Sequence, residues 1–149
     1  MSKTHLKWVE GYFRKIYRSK ILENFLKMKL VGIGVGKVTC KTTILDRHCN
    51  LYGSIHGGTL ASIADTVMGT SCVTLGRRVV TIDMTISYIK SAPVGSTLTA
   101  VGEVVSSGKT IMRAVGLIYS GKELLARSQA SYFVTGEFHE KDHPLLNAK

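Results

Sequence analysis

Acidic residues are scarce in this chain. Ten Asp and Glu stand against twenty Lys and Arg in 149 residues, for a formal net charge of +10. Such a surface attracts polyanions as a class (nucleic acid, anionic lipid, or a small molecule bearing phosphates), and charge alone does not choose among them. Cysteine is also scarce. Cys40, Cys49 and Cys72 are odd in number and scattered, which argues against a disulfide framework. No Cys/His cluster has zinc-ligand spacing, so no metal site is expected. A reducing cytoplasm is the expected location. No apolar run approaches the ~18 residues of a membrane-spanning helix, so no stable membrane insertion is expected. Nor does an apolar run follow the basic residues of the N-terminus, as a secretory leader requires. There is no GxSxG nucleophile elbow. No helix-turn-helix or RNA-binding signature occurs, and the few strand aromatics make no stacking platform, so no nucleic-acid partner is expected.

The length suits one domain with a buried core. Residues 1–30 carry eight Lys or Arg against two Glu. Within them Trp8, Val9, Tyr12, Phe13, Ile16, Ile21, Leu22, Phe25 and Leu26 recur at helical steps. They predict a basic amphipathic helix over about 4–30, with a break possible near Arg18–Lys20. The helix either packs its stripe on the domain or lies on an anionic membrane. Gly32, Gly34 and Gly36 lack dinucleotide-loop spacing and read as a flexible lead-in to a strand.

The following pattern is mostly β. Val38, Cys40, Thr42 and Ile44 alternate with polar residues, as do Val80, Ile82, Met84, Ile86 and Tyr88. Further strands are expected at about 96–106, 110–119 and 123–135, as consecutive antiparallel hairpins. Gly108-Lys109-Thr110 is no nucleotide-triphosphate loop. Five residues separate Gly102 from Gly108, and the segment lies between strands. The exception to the β pattern is residues 56–75, apolar nearly all round, which predict a buried helix. One helix against one antiparallel sheet is an α+β layer architecture. The organisation read here is an N-terminal helix (1–30), one domain (31–138) and a polar tail (139–149).

Between Arg47 and Arg77 the only formally charged side chain is Asp65, in the middle of that helix. A carboxylate in apolar surroundings is costly unless hydrogen-bonded or used. Two readings stand: Asp65 is satisfied by neighbouring Thr or Ser hydroxyls, or it is a tuned acid, base or nucleophile. His56-Gly57-Gly58 opens the helix, and its first N–H groups have no intrahelical partners. Glycine lets a ligand approach them, so the end can hold an oxyanion or phosphate, or it is simply a glycine-rich helix start. Asn50, just before, could position a water or carbonyl, or cap a turn.

Asn50, then His56-Gly57-Gly58, then Asp65, with HGGTLASIAD reproducing an HGG-x6-D pattern, resembles the hotdog-fold acyl-CoA thioesterases of the PaaI-like group. The resemblance covers about residues 35–136. It implies a sheet wrapped around the central helix, a homodimer with a continuous sheet, and commonly a homotetramer. It implies active sites at the dimer interface, where Asp65 of one subunit faces the helix N-terminus of the other. Asp65 would be general base or nucleophile, and the Gly57 N–H would polarise the thioester carbonyl, supported by His56. Asn50 would orient water or carbonyl, and Thr81 would help place the nucleophilic water. Coenzyme A, present only as part of the substrate and with no separate cofactor, would lie along Gly58, Asp83, Tyr88, Lys90, Ser91, Ser107, Gly108, Lys109 and Thr110. Lys90 and Lys109 would meet phosphate. Two other readings are an acyl-CoA sensor without catalysis, and a hotdog hydratase or dehydratase using His56 with Asp65. The sequence does not choose an acyl group.

Overall fold

Two glycines set how closely helix and sheet approach. Gly102 and Gly116 stand opposite each other on neighbouring strands. A Cβ on Gly102 would sit 2.2 Å from the Val67 carbonyl oxygen, and one on Gly116 would sit 3.1 Å from Met68 Cγ. The central helix therefore lies directly on this bare patch, a contact that any side chain at Gly102 would prevent.

The structure is a computed structural model that describes residues 1–19 and 21–140. Helix α1 spans Lys3–Ile16 and the short α2 spans Leu22–Phe25. Strands β1 (Lys29–Gly34) and β2 (Lys37–Thr43) follow, then a 3-10 turn at Asp46–His48 and the long helix α3 (Gly57–Val73). Strands β3 (Arg77–Tyr88), β4 (Thr97–Ser107), β5 (Ile111–Ser120) and β6 (Glu123–Glu137) follow among the described residues. The six strands form one antiparallel sheet in the order β1-β2-β4-β5-β6-β3. This is the hotdog arrangement: a sheet around α3, with β4, β5 and β6 as consecutive hairpins.

The core lies between α3 and the inner face of the sheet. Leu60, Ile63, Ala64, Val67, Met68 and Cys72 from the helix meet Val38, Cys40, Leu98, Met112, Ile118 and Leu125. Each fully buried aliphatic side chain here contributes about 1.5–3 kcal/mol of transfer free energy. Because α3 is covered on several sides, its residues show no single apolar stripe, as the sequence predicts for 56–75.

The N-terminal segment differs from the single helix expected over 4–30. Helix α1 stops at Ile16, where the Ser19 hydroxyl donates to the Ile16 carbonyl at 2.5 Å and satisfies one of the orphan acceptors of the helix end. Lys27 then takes a left-handed backbone (φ 56), which no helix tolerates, and the chain turns into β1. The strand starts at Lys29, two residues inside the span read as helix, so two strands precede α3 rather than one. Helix α1 does pack its apolar stripe on the domain. Val9 and Tyr12 are buried with Val73 and Phe138, and Trp8 and Tyr12 each lie 5.3 Å from Phe138 between ring centroids. The stripe is thereby consumed, and α1 does not offer it to a membrane. Gly32 and Gly34 lie within β1, and Gly36 forms the β1–β2 turn at φ 71, where its N–H donates to Thr74 Oγ1 at 2.7 Å. The polar tail from 141 onward lies outside the described residues.

Candidate active site

Asp65 sits half-buried on the middle of α3, beneath the bulge that β3 makes between Thr81 and Asp83. That bulge follows the register Thr81↔Tyr132, which aims both side chains at the helix. Thr81 Oγ1 donates to Asp65 Oδ1 at 2.9 Å, and the Tyr132 hydroxyl donates to the same oxygen at 2.8 Å. Tyr132 also reaches the Asp65 backbone carbonyl at 3.0 Å. Burial, then the Asp65 charge, raises the Tyr132 pKa well above that of a free phenol. Tyr132 is thus a fixed proton donor. With Oδ1 occupied twice, Oδ2 is the carboxylate oxygen left for chemistry. The hydroxyls foreseen in the sequence as satisfying Asp65 do so in part. One comes from Thr81, and the other from Tyr132, 67 residues away in sequence, which sequence reasoning missed.

At the other end of the site, His56 is the N-cap of α3, and its Nδ1 accepts from the Gly58 N–H at 2.8 Å. A Cβ on Gly58 would lie 3.0 Å from that nitrogen, so the glycine keeps the cap open. Thr59 and Leu60 donate to the His56 carbonyl. Among the described residues the Gly57 N–H has no acceptor. This leaves one backbone donor at the positive end of the helix. The Tyr88 hydroxyl donates to the Gly57 carbonyl at 3.1 Å, and its ring would lie 3.3 Å from a Cβ at Gly57. Gly57, Tyr88, Lys90 and Ser91 line one shallow pocket of about 310 Å³ with Ile55, Leu60 and Ile89. Lys90 also pairs with Glu123 at 2.9 Å, both ends exposed.

Asn50 precedes this end. Its Oδ1 accepts from the Tyr52 N–H (2.9 Å) and the Ser54 N–H (3.2 Å), closing the turn that leads to His56. Among the described residues its side-chain NH₂ group has no hydrogen-bond acceptor. Asp83 lies on the outer face of β3, away from α3, beside Arg113 and Ser131 in a second pocket of about 360 Å³. Ser107, Gly108, Lys109 and Thr110 form the β4–β5 turn, closed by Gly108 N–H to Ile111 O at 3.0 Å. Thr110 accepts from the Val134 N–H, which ties the turn to the Thr81 end of the sheet rather than to Lys90.

The expected residues therefore fall in two groups. Asp65, Thr81 and the β4–β5 turn form one, with Asp83 on the outer face of the strand that carries Thr81. Asn50, His56, Gly57, Gly58, Tyr88, Lys90 and Ser91 form the other. Gly57 and Asp65 are eight residues apart on one helix, roughly 12 Å along its axis. A single chain does not put both on one reacting carbon.

Comparison with known proteins agrees with this architecture. Residues 52–126 match the family model described as the thioesterase superfamily. Human acyl-coenzyme A thioesterase 13 is 33% identical over 87 residues, which cover 57% of this chain and 62% of that protein. The match thus spans less than two thirds of this relative. The Escherichia coli acyl-coenzyme A thioesterase PaaI is 27% identical over 106 residues, 71% of this chain and 74% of that protein. Among solved structures, a Streptococcus mutans protein bound to acetyl CoA superposes with a TM-score of 0.76 at 28% identity, covering 83% of this chain and 98% of its own.

Proposed function

Because the chain belongs to the thioesterase superfamily, we propose that it hydrolyses the thioester of an acyl- or aryl-acyl-coenzyme A to the free acid and coenzyme A, in sites shared between two subunits. The observation that carries this reading is the carboxylate of Asp65. One oxygen is held by Tyr132 and Thr81, and among the described residues the other oxygen has no hydrogen-bond partner and the Gly57 N–H, on the same helix but too far away to act with it, has no acceptor. A second copy supplies what one chain separates. Strand β3 is the sheet edge nearest Asp65, and its Val80 and Ile82 are each 52% exposed. An exposed apolar edge strand invites pairing with another. Pairing along β3 would bring the partner's Gly57 towards Asp65.

In that arrangement the partner's Gly57 N–H polarises the thioester carbonyl and holds the oxyanion as it forms. A donor of this kind is worth about 10²–10³ in rate. Oδ2 of Asp65 either takes a proton from the attacking water or attacks the carbonyl itself, forming an anhydride that water then opens. The tetrahedral intermediate collapses by expelling the coenzyme A thiolate, a good leaving group, so no strong acid is required. Thr81 and Tyr132 hold the carboxylate in place and aimed. Asn50, through its side-chain NH₂, orients water or carbonyl. Gly58, Tyr88, Lys90 and Ser91 from one subunit and Asp83, Ser107, Gly108, Lys109 and Thr110 from the other would receive the coenzyme A portion, with the lysines meeting phosphate. The assembly is a homodimer, paired further into a homotetramer, and the protein works in the cytoplasm.

The test is free-thiol release from aryl-, short-, medium- and long-chain acyl-CoAs by the wild type and Asp65→Asn. Turnover by the wild type that falls by about 10² or more in the variant supports the reading. Absence of turnover on every thioester, with acyl-CoA still bound by both proteins, would leave a sensor instead.

A further inference from the structure

The corner where α1, α2 and β1 meet carries chemistry that thioester hydrolysis does not use. A cavity of about 500 Å³ opens there, lined by Arg14, Arg18, Lys27 and Lys29 with Tyr17 and Asn24. No carboxylate lines it among the described residues. Glu10 is bound to Arg14 at 2.7 Å, and burial, helped by the charge of Glu23, raises the Tyr17 pKa. Lys29 stands directly opposite Lys41 across the β1–β2 ladder, a like-charge pair. Lys27 occupies the left-handed region at φ 56, which is unfavourable for a residue with a Cβ.

Beside this cavity the surface turns apolar. Leu22 is 52% exposed and Phe25 46% exposed, both on α2. They line a neighbouring groove together with Lys27 and Arg47. The turn is firmly fixed: the Arg47 guanidinium lies 4.9 Å over the Phe25 ring and donates to the Phe25 carbonyl at 2.8 and 3.1 Å. Two apolar side chains are thus presented outward on a braced turn, ringed by cations.

We propose that this corner docks the protein on an anionic phospholipid surface. Lipid phosphates seat among Arg14, Arg18, Lys27 and Lys29, while Leu22 and Phe25 enter the headgroup layer. Cations close to an anionic leaflet each add attraction, and apolar side chains at its boundary add binding in proportion to the area they bury. A soluble phosphate compound would satisfy the cations but give Leu22 and Phe25 nothing to bury against. The corner also stays open in the dimer proposed above, because β1 is the sheet edge farthest from β3.

The experiment is co-sedimentation of the full chain with vesicles of phosphatidylcholine alone and of phosphatidylcholine mixed with phosphatidylserine. The wild type is compared with Arg18→Glu/Lys27→Glu/Lys29→Glu, with Leu22→Ser, and with the control Lys3→Glu/Lys7→Glu/Lys122→Glu, melting curves confirming that each is folded. We expect binding to the mixed vesicles only. The corner triple variant should weaken it by about tenfold or more, Leu22→Ser should weaken it severalfold, and the control should weaken it far less. Equal losses in both triple variants would overturn the proposal in favour of diffuse attraction by the net charge. Absence of vesicle binding would overturn it too. If the corner triple variant then also lost saturable pyrophosphate binding, the site would be one for soluble phosphates. Thiol release from acyl-CoA, measured in parallel, reports separately on the catalytic reading.

Discussion

The Tyr132 hydroxyl lies 2.8 Å from Oδ1 of Asp65 and 3.0 Å from the carbonyl oxygen of the same residue, clamping side chain and backbone with one group. Tyr132 is 2% exposed and its pKa is raised, so it stays a donor throughout the working pH range. Its role is to position the carboxylate. Tyr132→Phe leaves Oδ1 with Thr81 alone. We expect kcat to fall about tenfold with KM little changed, and stability to fall by about 1 kcal/mol, the scale of one lost hydrogen bond. Steady-state kinetics and a denaturant titration check both. Thr81→Val should lower kcat similarly and Thr81→Ser should restore it.

Gly102 has no room for a methyl group, since the Val67 and Met68 backbone occupies its Cβ position. Gly102→Ala should lift α3 from the sheet and destabilise the fold by about 1–3 kcal/mol or more. A thermal melt should show this, whereas Gly11→Ala, inside helix α1 where a Cβ meets nothing within 4 Å, should raise stability by up to about 1 kcal/mol.

Burial pushes the Cys40 and Cys72 thiols up to about 12 from their ordinary value of 9.0. The folded protein keeps these protons where the unfolded chain releases them. Their contribution to stability is therefore complete below pH 9 and is lost as pH rises towards 12. Alkaline unfolding should begin in that window. At neutral pH a thiol reagent should modify Cys49, the half-buried cysteine, well before the other two.

The exposed edge of β3 should be the dimer contact. Val80→Lys or Ile82→Lys places a charge on this edge. Either should shift the mass in light scattering towards the monomer and remove activity together with it. A monomer that kept full turnover would separate catalysis from pairing.

Asp65 was legible because it is the lone charge across a long apolar helix. The helix start was legible because His56-Gly57-Gly58 carries its own signature. Tyr132 was not, since on β6 it reads as one more buried aromatic in an alternating strand. Only the register Thr81↔Tyr132 brings it to the helix. Strand β1 was hidden for a different reason. Phe25, Leu26, Met28 and Leu30 continue an apolar rhythm that fits a helix as well as a strand, and the left-handed Lys27 that ends the helical path has no signal in its residue type. The Gly102–Gly116 pair went unread because cross-strand partners are fixed by the sheet and not by local spacing.

The central claim is that each site takes Asp65 from one subunit and the Gly57 N–H from the other, and complementation tests it most directly. Gly57→Pro removes that N–H and adds a Cβ 3.3 Å from the Tyr88 ring, so Gly57→Ala, which adds the Cβ but keeps the N–H, is its control. Proline suits the first helical position, and His56 already has the extended backbone (φ -69, ψ 136) that must precede it. Asp65→Asn and Gly57→Pro, each nearly inactive alone, are co-expressed with different tags and the mixed dimer is isolated. One of its two sites then carries both changes and the other carries neither, so the account predicts roughly half the wild-type activity per dimer. A folded mixed dimer as inactive as its parents would contradict the shared site.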